Sequence, residues 1–365
     1  MTTAAQAEVP QGAQRLFIGT SNPTAKGGSG AGIFTAFFKD GKLTEPTLAV
    51  AGPSPSFLAV VPGKTSPMYA VLGGDAGGDA LAGSYTTTSP IRLISKADAG
   101  GVGGCHVAVS NDGKAVLVAN YTGGSVASFL EDDAGHLTPA SFMQFPADAH
   151  GPVPDRQQQS HAHSALVSPD GDFVLVNDLG LDRIHIFRLE RTTSKLLPHK
   201  PDHWASSAGA GPRHLVFHPN GKWIYCINEL NATIDQLQWN PTHGTLVTRS
   251  TAHTMPAGVD PMGKRACEMV FSKDLRFLYA ANRVHESFAV FAVDATTGAL
   301  THVQEFPNPG AESRHMAIDP SGKWLLSANQ FSGDISVFPL DAATGKMSAR
   351  SSVVKIAGPS CLLFL

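Results

Sequence analysis

The stretch GPRHLVFHPNGKWIYCINELNATI, residues 211–234, decides how the rest of the chain is read. A mostly apolar run leads into Pro219, Asn220 and Gly221, and an aromatic-rich run of matching length leaves them and ends in Asn228. Period and turn chemistry are those of a β-hairpin. The unit recurs as CHVAVSNDGKAVLVANY (105–121), HSALVSPDGDFVLVNDL (163–179), CEMVFSKDLRFLYAANR (267–283) and RHMAIDPSGKWLLSANQ (314–330), with a weaker copy at 55–71. Its turn slots fall at Gly63, Gly113, Gly171, Gly221, Leu275 and Gly322. Five intervals span 259 residues, and the mean period of about 52 divides the 365-residue chain into seven.

A third strand-like run follows each hairpin, as in RIHIFRLE (183–190) and FAVFAVD (288–294), and then a polar turn such as DATTGAL (294–300) before a fourth. Four short strands per repeat predict an all-β fold, a seven-bladed β-propeller with four-stranded blades, because such a unit buries both faces only by stacking on its neighbours. The C-terminal AGPSCLLFL echoes AGPSPSFLAV at 51–60 and reads as an innermost strand, while residues 15–19 read as a second strand lacking a first. The N- and C-terminal strands are therefore expected to close the ring in one blade, leaving no open edge. Residues 1–13 are expected to form a flexible tail and 14–365 a single propeller domain.

Composition narrows the function. Lys and Arg number 27 against 30 Asp and Glu, for a net charge of −3, which argues against a nucleic-acid partner. No apolar run approaches the length of a membrane span. The four cysteines lack zinc-like or paired spacing and read as free thiols. Residues 4–7, Ala-Ala-Gln-Ala, resemble the end of a signal peptide without its apolar core, so cytoplasmic and periplasmic locations both fit. The expected partner is a small molecule, and the expected assembly a monomer or weak homodimer.

In a hairpin, residues equidistant from the turn lie side by side. The lead-in slots hold Cys105-His106, His163-Ser164, Arg213-His214, Cys267-Glu268 and Arg314-His315; the exit slots hold Asn120-Tyr121, Asp178, Asn228-Glu229, Asn282-Arg283 and Asn329-Gln330. One mouth of the central channel thus collects His, Arg, Glu and Asn, whereas the other carries ordinary turn residues. Such a ring is a ligand site by geometry. The repeated Asn or Asp reads as a loop cap. Residues peculiar to one blade are the better candidates: His161, His163, Arg213, Glu229, Glu268, Arg283 and Arg314. Lys264 and Arg265 either add positive charge to that mouth or decorate a loop. His161 and His163 lack a third ligand, and rim arginines oppose a cation, so no metal or other cofactor is expected. An acid/base pair beside arginines suits the hydrolysis or formation of a lactone.

These hairpins resemble the seven-bladed β-propeller lactonase family, which includes bacterial 6-phosphogluconolactonases and the fungal carboxy-cis,cis-muconate cyclase. The motifs are SHAHSALVSPDGDFVLVNDLGLDRIHIFRL, GPRHLVFHPNGKWIYCINELNATI, HVAVSNDGKAVLVANYTGGSVASF and FLYAANR. The resemblance implies a metal-independent lactonase acting on 6-phosphoglucono-1,5-lactone or an unphosphorylated aldonolactone, with His163, Arg213, Glu229 and Arg283 in the catalytic set. His106, His161, His214, Glu268, Arg314, His315 and Gln330 are expected to bind substrate around them. A cycloisomerase closing a muconate-type diacid and a non-catalytic binding propeller are the alternatives. The chain departs from the family at Leu72 and the Gly-rich run after it, where an acidic residue is usual, at Leu275 in a turn that usually has Gly, and at Val284 after Arg283.

Overall fold

The structure, a computed structural model, describes residues 11–21, 32–73, 78–146, 148–261, 263 and 265–365. The signal-like run 4–7, most of the glycine-rich run after Leu72, and Lys264 lie outside the described residues. Among those described there is no helix: 29 strands form seven antiparallel sheets set in a ring. Blades two to seven each take four consecutive strands, with innermost strands Phe57–Val60, Gly104–Val109, Ala162–Val167, Pro212–Phe217, Ala266–Phe271 and Ser313–Ile318.

Blade one is the seam. Its innermost strand is Pro359–Phe364, paired antiparallel to Gln14–Thr20 with Leu16 opposite Phe364 and Gly19 opposite Cys361. Gly32–Lys39 follows, with Lys42–Leu43 and Thr47–Ala51 both on its outer side. The two ends of the chain therefore share one sheet, as their sequences imply.

Stacking explains the residue pattern. A hydrophobic cluster fills every junction between successive blades; Phe173, Leu175 and Ile186 of blade four meet Ile224, Leu237 and Trp239 of blade five at one of them. Covered on both faces, a second strand such as Ala115–Asn120, Phe173–Asp178 or Phe277–Asn282 is buried at every position and loses apolar–polar alternation. Each such Leu, Ile or Phe contributes roughly 1.5–3 kcal/mol by leaving water. The hairpin turns need a left-handed residue, and Gly113, Gly171, Gly221 and Gly322 supply it at φ between 69° and 83°. Leu275 holds the same place at φ 63°, where its Cβ makes the conformation costly.

Candidate active site

Two backbone devices repeat around the channel and position everything else at its mouth. The first is a β-bulge: the pairing of first and second strands skips Cys105, His163, Arg213, Cys267, Arg314 and Ser360, one residue in each of six blades. A bulge re-aims the side chain of its extra residue, so two successive residues can face the channel at different heights. The second device pins each exit turn. The amides of Tyr121, Leu179, Glu229, Arg283, Gln330 and Ser21 donate to the carbonyls of Gly103, His161, Gly211, Arg265, Glu312 and Gly358, each two residues before a bulge, at 2.8–3.0 Å.

The bulges free backbone carbonyls, which need donors. Cys105 Sγ donates to the His163 carbonyl at 3.1 Å, Ser164 Oγ to that of Arg213 at 2.8 Å, and Cys267 Sγ to that of Arg314 at 3.2 Å. Burial pushes the Cys105 thiol up to about 12 and that of Cys267 up as well. These thiols are bulge fasteners rather than nucleophiles.

Above the bulges lies a cavity of about 270 Å³. Its wall includes His163 and Arg314 from bulges, Tyr121, Glu229, Arg283 and Gln330 from exit turns, Arg265 and Glu312 from the approaches to bulges, and Arg156 from the connection between blades three and four. Glu229, 1% exposed, accepts Arg156 Nη2 at 2.6 Å on Oε1, and Arg213 Nε at 3.1 Å and Arg283 Nη2 at 2.7 Å on Oε2. Burial alone would favour its protonated form, but Arg283, Arg156 and Arg213 hold it well below the usual carboxylate range. Glu312 takes Arg283 Nη1 at 2.9 Å and Arg265 Nη2 at 3.6 Å. The Arg314 guanidinium has neither hydrogen bond nor ion pair among the described residues. Burial, then Arg213 and Arg283, push its pKa down, as befits an uncompensated cation. Five guanidiniums against two carboxylates give the cavity a surplus of positive charge.

His163 is the titratable group left open in that wall. It packs edge-to-face on Tyr121 at 5.4 Å and on His214 at 5.2 Å; among the described residues its Nδ1 is buried without a partner and nothing hydrogen-bonds Nε2. Burial, then Arg213, His214, Arg314 and Arg283, hold it far below the ordinary histidine value, so it is neutral at pH 7.

Beneath the cavity, Phe57, His106, His214, Glu268 and His315 form a second layer, and none of them lines the cavity. Phe57 packs on His106 at 4.3 Å, His315 at 5.3 Å and His214 at 5.8 Å, while His106 and His214 are 5.2 Å apart. His214 Nδ1 donates to Glu268 at 3.0 Å; His315 Nδ1 accepts the Leu362 amide at 3.3 Å, leaving its Nε2 proton toward Glu268 at 3.8 Å. Burial is the largest cause that holds His106 and His214 well below the ordinary value and brings His315 to about 4, and Arg213 pushes all three the same way.

The residues singled out from sequence thus separate. His163, Glu229, Arg283, Arg314 and Gln330 share the cavity wall. Arg213, 1% exposed, stands behind it, bonded to Glu229 and to the Cys267 carbonyl. His106, His214, Glu268 and His315 lie below it, and His161 stacks on the outer face of Tyr121 at 4.5 Å. The exit-slot Asn and Asp residues are loop caps: Asn228 Nδ2 donates to Thr233 and Asp235, and Asp178 accepts from Ser160, His185 and the His161 amide. Sequence reasoning passed over Arg156 and Glu312. Arg156 sits in a non-repeating connection, where a repeat comparison says nothing. Glu312 did leave a signal: like Arg265, it occupies the register that holds Gly103, Gly211 and Gly358, and both take the left-handed φ of those glycines, 60° and 48°. A large charged residue in a glycine place is strained, and the strain makes it stand out in the sequence.

Residues 15–364 match the family described as lactonase, 7-bladed beta-propeller. The 6-phosphogluconolactonase of Bacillus subtilis (strain 168) is 30% identical over 353 residues, spanning 96% of this chain and 98% of its own. The structure of the Pseudomonas aeruginosa periplasmic gluconolactonase superposes with a TM-score of 0.88 at 29% identity, over 97% of this chain and 99% of that one.

Proposed function

The chain belongs to the seven-bladed β-propeller lactonase family, and from that premise we propose that it hydrolyses an anionic sugar-acid lactone, 6-phosphoglucono-1,5-lactone ahead of the unphosphorylated aldonolactone, in the arginine-walled cavity. The observation that carries this reading is the surplus of guanidinium over carboxylate, with Arg314 left uncompensated. A neutral lactone would leave the surplus of positive charge in the cavity, whereas a phosphate would offset it.

In this reading water attacks the ring carbonyl, and His163 Nε2 takes a proton from it as the C–O bond forms. The carbonyl oxygen becomes an oxyanion facing Arg314, whose hydrogen-bond donors are already in place and unoccupied. The tetrahedral intermediate expels the ring oxygen, which receives the proton from His163, and the product is the open-chain hydroxy acid, ionised at neutral pH. Arg283 and Arg156 hold the anionic substituent. Glu229 is an anchor here rather than an acid or base, since three guanidiniums occupy its oxygens; Arg213 orients it from behind. His161 orients Tyr121, and the layer beneath supports the floor.

A pH-indicator assay at neutral pH with EDTA present, comparing 6-phosphoglucono-1,5-lactone with glucono-1,5-lactone, tests the reading. Acid release above the spontaneous rate is expected, fastest on the phosphorylated lactone. His163→Ala should lower kcat by about 10²- to 10⁴-fold, the usual worth of a general base, a far larger effect than its loss of stability. No acceleration on either lactone removes the function; unchanged turnover in the variant removes His163 from it.

A further inference from the structure

Each exit turn contains a left-handed residue three positions after the turn's first: Gly124, Asp182, Ala232, Glu286 and Gly333 in blades three to seven, at φ between 52° and 63°. Two of these places hold acids where glycine would be unstrained. Both reach into the next blade. Asp182 Oδ1 accepts the Gly211 amide at 2.8 Å and Oδ2 the Gly209 amide at 2.6 Å, just before the bulge that carries Arg213. Glu286 accepts the Glu312 amide at 3.0 and 3.1 Å, just before the bulge that carries Arg314. Where the next bulge residue is His163, Cys267 or Ser360, the left-handed place holds Gly124, Ala232 or Gly333 instead. Among the described exit turns, the acids stand only where an arginine follows.

Asp182 reaches further. Its Oδ1 also accepts Gln157 Nε2 at 2.8 Å, and the second hydrogen of that amide goes to the Leu179 carbonyl at 2.8 Å. Gln157 is fully buried; its Oε1 accepts the Val153 amide at 3.1 Å, its own amide donates to the Val153 carbonyl, and its carbonyl accepts the Gly151 amide. Every polar group of Gln157 is thus spent on fixing the connection on which Arg156 is the preceding residue. Through Gly211, whose carbonyl accepts the Glu229 amide at 2.8 Å, the same carboxylate also sets the backbone of Glu229.

We propose that Asp182 and Glu286 are positioning residues for the anion site: Asp182 holds Arg156 and Arg213 in place through Gln157 and Gly211, and Glu286 holds Arg314 through the amide of Glu312. Neither acid lines the cavity. The inference rests on the arginine cavity being the substrate site. Its mechanism is geometric, because a misplacement of about 1 Å in a binding group costs up to about 10²-fold in rate.

The test is a set of thermodynamic cycles on 6-phosphoglucono-1,5-lactone hydrolysis. Asp182→Asn and Glu286→Gln keep size but turn an acceptor into a donor against backbone amides, and each should lower kcat/KM by about 10- to 100-fold. Gln157→Leu severs only the Arg156 branch. It should lower kcat/KM in the native background and cost nothing further in Arg156→Ala, since the two act through one group. Full additivity, or unchanged kcat/KM in Glu286→Gln and Gln157→Leu, overturns the proposal. Amide exchange supplies a readout independent of turnover: Asp182→Asn should expose the amides of residues 153, 157, 209 and 211, Gln157→Leu only the first two, and Glu286→Gln that of residue 312. If Asp182→Asn fails to fold, the other two variants decide. If the native protein hydrolyses no lactone, calorimetric titration with inorganic phosphate takes the place of the assay: weaker binding in the variants sustains the clamp while the lactonase reading falls, and equal binding overturns the clamp too.

Discussion

Arg213 and His214 are neighbours in the chain, as are Arg314 and His315, yet each pair is divided between two layers of one channel that follow opposite rules. The upper layer is charged and left incomplete: three guanidiniums crowd Glu229, and Arg314 has no partner among the described residues. The lower layer is made of neutral imidazoles and one carboxylate around Phe57: Glu268 takes His214 and faces His315, while His106 packs on Phe57 and His214. A bulge makes the difference, because it turns what would be opposite faces of a strand into successive heights. The lesson is that polar residues gathered at one end of a propeller do not make one site. The layer that can take a ligand is the one that lines the cavity and leaves a charge without a partner.

The comparison is most easily broken at its two glutamates. Glu229→Gln should remove the anchor of three buried arginines, cost about 3–5 kcal/mol of stability, and leave little activity. Glu268→Gln, one layer down, should keep kcat within about threefold, because general-base and oxyanion groups lie elsewhere. Denaturant unfolding and the lactone assay on the two variants suffice, and equal losses of turnover would merge the layers into one site.

Acid separates the layers next. His163 is already neutral at pH 7 and stays so well below the ordinary histidine value, so kcat/KM should be flat from pH 8 down through 6.5. Stability should not be flat. His106, His163, His214 and His315 all bind protons less readily folded than unfolded, so their contribution is complete above about pH 6.5 and is lost as the pH falls toward the folded values. For His315, which sits at about 4, the loss over that window is on the order of 3 kcal/mol. Urea midpoints at pH 7, 6 and 5 should fall in sequence; a constant midpoint contradicts the neutral lower layer. Glu229 runs in the same direction at lower pH: with its carboxyl held well below the usual range, its contribution is complete above about pH 4.5 and is lost as the pH falls from there toward the folded value.

The smallest effect is the most discriminating. His106 Nδ1 is buried with no partner, and its ring lies against Phe57. His106→Phe should therefore raise stability by about 1 kcal/mol and leave kcat unchanged. Loss of turnover in that variant would place the lower layer in the reaction.

What sequence reading could reach was whatever repeats. Turn residues, the repeat period and the echo between the chain's ends made the hairpins, the blade count and the seam legible, and blade-specific polar residues pointed to the mouth where the cavity lies. It could not see the bulges, since one unpaired residue leaves no mark on an apolar run, and so His214 and His315 were grouped with Arg213 and Arg314. Arg156 was hidden because its connection has no counterpart in other blades. Arg265 was read as either adding charge to that mouth or decorating a loop, and it lines the cavity; Glu312 was readable in principle, as a charged residue in the register of Gly103, Gly211 and Gly358. The partnering of Glu229 was not, because its three arginines come from three separate segments that only the ring brings together.

The seam in blade one gives the chain a biosynthetic order. Gln14–Thr20 leaves the ribosome early, but its inner partner, Pro359–Phe364, emerges only after six other blades have been made. Until then an apolar strand waits with an unpaired edge, a template for other chains. The arginine cavity matures with it, since Gln330 in its wall donates to Ser21, just past the waiting strand. A circular permutant opened between two other blades would make that seam an ordinary hairpin of nascent chain and shift the period of vulnerability to a different blade.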